Sequence, residues 1–558
     1  MVTIAAESYA SGPEAVLPAD RRSALGAAHR LLEQLQDRPR DGRLLRRLET
    51  WTRCAAGAGW SEVHVFLLFN ALIHADLTRH DAERIRALSD ALLAAATAYG
   101  EEPLIGLAVA ARPSHLSDSG HPEPFGEDLA GCLAHVVALL EDLATGDQST
   151  TAMLIPAAYV ECAQAYRRQD LWELELEMYD LADASLLALF GTSEGLVADA
   201  ATRPIVDLNV RVLLFNRMES TVALVCALLE VGQREAARRT AASRRRLSPS
   251  EWADLPGTWA VEARAMERLL AVVAGETDGF DDPATVPADL YAAVADSAWG
   301  GYAACLLIAA ALGNEEAGDL TAAAQLATRA IALLDDFRPS LQTLAMHLST
   351  LRSAADDSAR QYGEHLARLR WESHVQVLSA ARSRLSAARV LRQGELLRRQ
   401  AYADELTGLA NRHAYVRQLE SLREQEAGER LGVVLIDLDH FKAVNDTFGH
   451  AVGDEVLRAI GRILAGAVRP CDLAIRLGGD EFALLVAIGG SDADIAGRID
   501  RIVETVRDHD WFAVAPGLAV TVSAGMAVGA APDVDRLLHD ADRSLYRAKA
   551  AGRDRAAH

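Results

Sequence analysis

The sequence is short of the features that mark secreted, membrane-embedded and nucleic-acid-binding chains. Its six cysteines, Cys54, Cys132, Cys162, Cys226, Cys305 and Cys471, lie far apart and form no C-x-x-C pair. A disulfide framework or structural zinc site is therefore not expected, whereas buried free thiols in a reducing cytoplasm are. Met1 to Ala19 has no basic head followed by an apolar core, so no secretory signal is read there. Uninterrupted apolar runs are missing too. Trp299 to Gly313 is too short to span a bilayer and contains Gly300 and Gly301, while Trp511 to Pro532 is broken by Pro516, Gly517, Thr521, Ser523, Gly525 and Gly529. There is no basic excess either. A formal net charge of −23 and a pI near 5.2 argue against general affinity for nucleic acid or anionic lipid, and leave only a local basic pocket for a nucleotide. The expectation is a soluble cytoplasmic protein.

What is present is a long, core-forming chain. Its 558 residues, half of them hydrophobic and 24% charged, predict two to four compact units. Residues 1–20 read as a flexible N-terminus. Residues 21–357 read as helix after helix, rich in Ala, Leu, Glu and Arg, with apolar residues three and four apart and no convincing strand. Polar breaks such as Gly100-Glu101-Glu102-Pro103, Gly146-Asp147-Gln148 and Gly313-Asn314-Glu315 separate the helices. Three pieces look like helix hairpins: Ala158 to Ala182 around Asp170, Ala223 to Ala237 around Gly232, and Ala309 to Leu334 around Gly318. They resemble tetratricopeptide repeats, although their starts do not follow the even period of about 34 residues. A generic α-solenoid has the same look. Such an array either recognises a protein or small ligand on a concave face, or is a scaffold that only dimerises.

Residues 358–403 form a connecting helix. Leu378, Ala381, Leu385 and Ala388 fit one heptad seam that fails near Gly394 and could pair two chains. Its arginines, Arg382, Arg384, Arg389, Arg392, Arg398 and Arg399, read as a solvated face rather than a nucleic-acid patch. From Asp404 onward strands and helices alternate. Leu431 to Ile436 is a buried-type strand, Asp454 to Ala467 a helix, and Leu473 to Leu477 with Phe482 to Val486 a hairpin around Gly478-Gly479-Asp480-Glu481. A helix around Ile495 to Val506, a strand Leu518 to Val528 and a helix Val534 to Ala551 follow. This order predicts a ferredoxin-like βαββαβ core.

The chemistry concentrates in that last stretch. Asp437-Leu438-Asp439-His440-Phe441-Lys442 follows the first strand, where a rigid carboxylate suits a hard cation with oxygen ligands and phosphates. Asp480 and Glu481 reach the same place if the hairpin lies beside that strand. Asn445-Asp446, Gly449-His450 and Gly453-Asp454 supply amide and carboxylate groups that match the edge of guanine. Lys549 and Arg553, four residues apart at the end of the last helix, are placed to hold phosphates.

Together with Asp404-Glu405-Leu406-Thr407-Gly408-Leu409, Asn411-Arg412, Tyr546-Arg547-Ala548-Lys549 and Gly552-Arg553, these motifs resemble a GGDEF domain, the diguanylate cyclase family, across residues 404–558. The resemblance implies Mg²⁺ or Mn²⁺ held by Asp437, Asp480 and the Leu438 carbonyl. It also implies guanine read by Asn445 and Asp454 with His450 nearby, and a triphosphate held by Lys442, Lys549 and Arg553. Glu481 would accept a proton or serve a second metal, its division of labour with Asp480 being open. The implied reaction joins two GTP into cyclic di-GMP and releases two pyrophosphates across a homodimer, with dimerisation set by the helical region. Arg469-Pro470-Cys471-Asp472 resembles the family's inhibitory product site, Arg469 gripping a phosphate or guanine and Asp472 accepting from guanine. Asp404 and Arg476 are expected to form a structural ion pair. A degenerate, receptor-only domain would show a damaged hairpin or guanine site, and none is seen. No phosphodiesterase or receiver domain is read in the chain. The signal that the helical region receives is not legible.

Overall fold

The computed structural model describes residues 16–557, except 79–81, 116–128, 144–148, 193–194, 249–251, 253–254, 277–281, 296–299, 335–338, 351–356, 425–429, 470–471 and 488–491. Most of the segment read as a flexible N-terminus, the break at Gly146-Asp147-Gln148, Trp299 and Cys471 lie outside the described residues. The chain divides into two compact units, Met1–Val390 and Leu391–His558.

The first unit is helical. The three hairpins read from the sequence are present: Ile155–Arg167 with Trp172–Phe190, Arg203–Glu230 with Arg234–Ala242, and Ala303–Glu316 with Leu320–Ile331. One device closes all three. Asp170, Gly232 and Gly318 take left-handed backbone angles of φ 56, 75 and 84°. The following N–H then returns to a carbonyl of the outgoing helix, Leu171 to Tyr166, Gln233 to Leu228 and Asp319 to Asn314. Among the described residues, the departure from an all-helical reading is a pair of two-residue strands, β1 (Gly191–Thr192) and β2 (Gly195–Leu196). Cys132, Cys162, Cys226 and Cys305 are buried and Cys54 is exposed, none of the five in a disulfide. Among the described residues one helix, Arg203–Glu230, is long and apolar enough to cross a membrane, but 61% of that stretch is buried within the protein, as for a core helix.

The connecting helix runs unbroken over Asp357–Tyr402. Its heptad seam has a different use from the expected one. Leu378, Ala381, Leu385 and Ala388 are buried in the unit's own core with Tyr159, Tyr166 and Leu174. The seam is covered within the chain and is not available to a second one. Polar clamps flank it. Arg389 donates to Glu141 at 2.6 and 2.9 Å and to Glu177 at 3.1 Å, and His374 lies between the Trp172 and Trp371 rings with Nε2 3.1 Å from Glu173. On other faces of the helix Tyr362, Leu366, Leu369 and Val390 remain exposed.

The second unit is a five-stranded mixed sheet with helices on both faces. Its strands are β3 (Arg430–Leu438), β4 (Leu473–Gly478), β5 (Glu481–Ala487), β6 (Val522–Ala530) and β7 (Arg555–Ala557), in the order β4-β5-β3-β6-β7. The first four are antiparallel, in the order and polarity of a βαββαβ unit, and β7 adds parallel to β6. The sixth strand starts later than the sequence reading placed it, at Val522 rather than Leu518.

Side-chain alternation divides the sheet into two cores. Val434, Ile436 and Leu438 of β3 and Phe482, Leu484 and Val486 of β5 face one core. Leu431, Val433, Ala483 and Leu485 face the other, which the helix Val534–Ala550 covers. That helix lies directly on β6. A Cβ on Gly525 would stand 2.0 Å from the Leu545 nitrogen, so only glycine lets it sit there.

Candidate active site

Strand register decides which carboxylates meet. Asp437 is the next-to-last residue of β3, inside the strand rather than after it, and its partner across β5 is Glu481. Directly opposed residues share a face with their Cβ atoms about 5 Å apart. Asp437 and Glu481 therefore form one acidic row, on the face covered by Val534–Ala550. From that helix Lys549 Nζ reaches Asp437 Oδ1 at 2.8 Å.

Asp480 lies one residue before this row, in the turn between β4 and β5. The turn is held from both sides. Leu438 N–H donates to the Asp480 carbonyl at 3.2 Å. Arg476 donates through Nε and a terminal nitrogen to the Gly479 carbonyl at 3.1 and 2.9 Å. The same guanidinium grips Asp404 at 3.0 and 3.2 Å, which is the expected ion pair. Burial alone would raise the Asp404 pKa, but hydrogen bonds from Thr407 and Arg476 outweigh it and hold the carboxyl below its usual range.

These donors suit a hard divalent cation. Mg²⁺ takes one or two carboxylates and completes its shell with phosphates and water. Asp437, Asp480 and Glu481 bring carboxylates of that kind to adjoining strand ends, although no cluster of three metal-ligating side chains occurs among the described residues.

A second pair forms on the helices after β3. Asn445, from the helix Phe441–Phe448, lies against Gly453 at the start of His450–Ala467. A Cβ on Gly453 would stand 1.9 Å from Asn445 Oδ1. Glycine thus leaves the amide room against the residue that precedes Asp454. Lys442 and His450 are exposed on the same two helices. His440, in the left-handed region at φ 56°, precedes the first helix and offers it no side-chain cap, leaving an end suited to phosphate.

Arg553 arrives by a different route from the one its spacing implied. The last helix ends at Ala550, so Lys549 and Arg553 do not share a helix face. Instead Gly552, Arg553 and Asp554 take φ values of 109, 65 and 51°, and the chain doubles back until Arg553 Nε is 4.0 Å from Asp439 Oδ1.

Asp439 itself carried no role in the sequence reading. Its side chain is only 2% exposed and accepts from Thr521 and Ser523 hydroxyls at 2.8 and 2.7 Å and from Asp554 N–H at 3.0 Å. It ties the end of β3 to the start of β6 and to the Arg553 loop. The one signal in the sequence was a second Asp two residues after Asp437, with Thr521 and Ser523 as hydroxyl partners downstream.

Arg469 and Asp472 differ in how open they are. The Asp472 carboxylate is fully covered and accepts from Arg469 N–H at 3.0 Å, Ala487 N–H at 3.1 Å and the Arg498 guanidinium at 2.5 Å. It joins Arg469 to the end of β5 and to Arg498, and in this arrangement its oxygens are covered rather than open to guanine. The Arg469 side chain remains exposed.

Residues 401–555 match the family model described as "Diguanylate cyclase, GGDEF domain", so this stretch is a GGDEF domain. The chain is 43% identical over 164 residues to the response regulator PleD of Caulobacter vibrioides (strain NA1000 / CB15N), across 28% of this chain and 35% of that one. It is 37% identical over 159 residues to diguanylate cyclase DgcS of Shewanella oneidensis, across 28% and 52% respectively. The chain therefore spans only about a third to a half of the length of these curated relatives. A solved structure of the coiled coil and GGDEF domain of DgcB from Caulobacter crescentus, in complex with c-di-GMP, is similar at 29% identity. It covers 32% of this chain and 96% of that one, with a TM-score of 0.28.

Proposed function

We propose that the chain is a diguanylate cyclase, condensing two GTP into cyclic di-GMP with loss of two pyrophosphates. The observation that carries this is the β3–β5 register, which sets Asp437 and Glu481 in one row with Lys549 beside them. Asn445 and Asp454 read the guanine edge, with His450 at its margin. Lys442, Lys549 and Arg553 neutralise the triphosphate. Asp437, Asp480 and the Leu438 carbonyl hold Mg²⁺ or Mn²⁺, which when bound offsets phosphate charge and acidifies the 3′-hydroxyl. Glu481 takes the 3′-hydroxyl proton. The freed oxygen bonds to the α-phosphorus of the other GTP, and the bond to the β-phosphate oxygen breaks to release pyrophosphate.

One domain supplies one such set, so the ring closes only between two chains. The exposed apolar positions of the long helix, Tyr362, Leu366, Leu369 and Val390, follow the spacing of a heptad stripe, and a second copy is the partner proposed for them. Product restrains the enzyme through exposed Arg469, whose backbone N–H donates to Asp472. The setting is the cytoplasm, where GTP is available.

The test is incubation of the purified full-length chain with GTP and Mg²⁺, with products separated by chromatography. Cyclic di-GMP and pyrophosphate in a 1:2 ratio are expected. Asp480→Ala should abolish both while leaving the helical unit folded. GTP bound but never converted by a dimeric preparation would overturn the reading.

A further inference from the structure

The helical unit contains a cavity of about 60 Å³ between the helices Arg21–Asp37, Ser61–Leu77, Ile155–Arg167 and Arg203–Glu230. Phe66, Phe69, Ile73, Val160 and Val212 make its wall apolar. His29 lines it as well, stacked on Phe66 at 3.9 Å between ring centroids and only 1% exposed. The tautomer of this ring follows from its surroundings. Nδ1 lies 2.9 Å from the Leu25 carbonyl, which can only accept, so Nδ1 carries the hydrogen. Nε2 is then a bare lone pair, buried and without a hydrogen-bond partner. Gln36 Oε1, on the same helix about two turns further along, is a second buried acceptor without a partner. Glu161 and Asn209, the other polar lining residues, already have partners in the fold.

Two buried acceptors facing apolar walls specify what belongs between them. Leaving such atoms unmet is costly, and a donor that meets them recovers that cost. We propose that this cavity is a binding site for a small uncharged molecule with an apolar body and an N–H or O–H donor directed at His29 Nε2. The size limits the body. A single water needs about 10–15 Å³ on this measure, and a dry cavity of about 150 Å³ admits benzene. On that scale the space observed here takes about two or three heavy atoms, so the donor-bearing edge of a five-membered ring enters and the rest of the ring stays toward the open side. A cation is disfavoured, because no partner is open to balance a buried charge.

Pyrrole and furan separate the donor from the shape, being rings of nearly equal size of which only pyrrole has an N–H. Saturation-transfer NMR titrations on the full-length chain should show pyrrole binding about tenfold more tightly than furan. His29→Phe keeps the stack on Phe66 and deletes the acceptor. It should erase the preference by weakening pyrrole while leaving furan unchanged. Val160→Phe fills the cavity from the opposite wall without touching His29, and should abolish saturable binding of both. Equal affinities, a preference that survives His29→Phe, or crystals soaked in pyrrole that show only water at Nε2 would each overturn the proposal. The readout is binding alone, so it stands or falls independently of cyclase turnover.

Discussion

Asp439 is where the coupling between fold and site can be measured. Replacing it with alanine removes one carboxylate that accepts from Thr521, Ser523 and the Asp554 amide, and that faces Arg553. The two hydroxyls can rotate toward other acceptors, but the Asp554 N–H cannot. Hydrogen bonds to a charged acceptor contribute about 1.5–3 kcal/mol each, and with both hydroxyls partly recovering theirs elsewhere the loss should be about 3–5 kcal/mol. Asparagine should behave differently. Its oxygen can occupy the position that accepts from Thr521 and Asp554, and its amide nitrogen can donate to a reoriented Ser523 hydroxyl, for a cost of about 1 kcal/mol. Hydrogen exchange across residues 551–557 and 518–523 reports the difference. Since each 1.4 kcal/mol is a factor of ten, local opening should be about a hundredfold or more greater in Asp439→Ala and within tenfold of wild type in Asp439→Asn. The KM for GTP should rise in the same order, because Arg553 is held through this carboxylate. An Asp554 amide as protected in the alanine variant as in wild type, or an asparagine variant as damaged as the alanine one, would refute the reasoning.

Three other perturbations have outcomes worked from the same coordinates. In Gly453→Ala the new Cβ displaces Asn445 Oδ1, the end of a short side chain, so thermal stability should barely change while the KM for GTP rises about tenfold; an unchanged KM removes Asn445 from the guanine site. Arg469→Ala should raise the cyclic di-GMP concentration needed for half inhibition at least tenfold, because its side chain is exposed whereas the Asp472 carboxylate is covered. Burial lowers the His29 pKa to about 4 despite its hydrogen bond to the Leu25 carbonyl, so the unfolded chain binds the proton more readily. The stabilisation is full above the unfolded value near 6.5 and is lost as pH falls toward 4, amounting to about 2 kcal/mol by pH 5. Denaturation of the helical unit should show that loss in wild type and lack it in His29→Phe.

How much of this was legible in the residues differs by type of interaction. The hairpin around Gly478-Gly479, the Asp404–Arg476 pair and the helix hairpins closed at Asp170, Gly232 and Gly318 are local or follow from turn chemistry, and they stand where the sequence put them. Asp437 and Glu481 were named as separate candidates. That they form one row needed the strand register, which depends on packing partners far along the chain. Arg553 shows the converse failure. A four-residue spacing suggested one helix face, but Gly552 ends the helix, and the same convergence on the end of β3 is reached through left-handed backbone. Asp472 shows why a motif cannot report availability. Its neighbours Ala487 and Arg498 lie fifteen and twenty-six residues away, and they determine that its carboxylate is already engaged.

The long helix makes the same point about surfaces. Heptad spacing at Leu378, Ala381, Leu385 and Ala388 says that a face is apolar, not which chain covers it, and the covering surface turns out to be the unit's own core. Following the spacing of Tyr362, Leu366 and Leu369 along the helix gives Ser373, Gln376, Ala380, Ser383 and Ala387 before Val390, all exposed and uncharged. Small and polar side chains bury little apolar area, at about 25 cal/mol per Å². A pairing of two copies along this stripe would thus rest on its larger residues and be modest for the length it covers. A modest pairing is what a controlled cyclase needs, since a half-site on a permanently zipped dimer would have no off state. The clamps at Arg370–Glu230, His374–Glu173 and Arg389–Glu141 fix this helix to the helical unit while leaving the stripe exposed. A shift of those helices would act on a helix already attached to them.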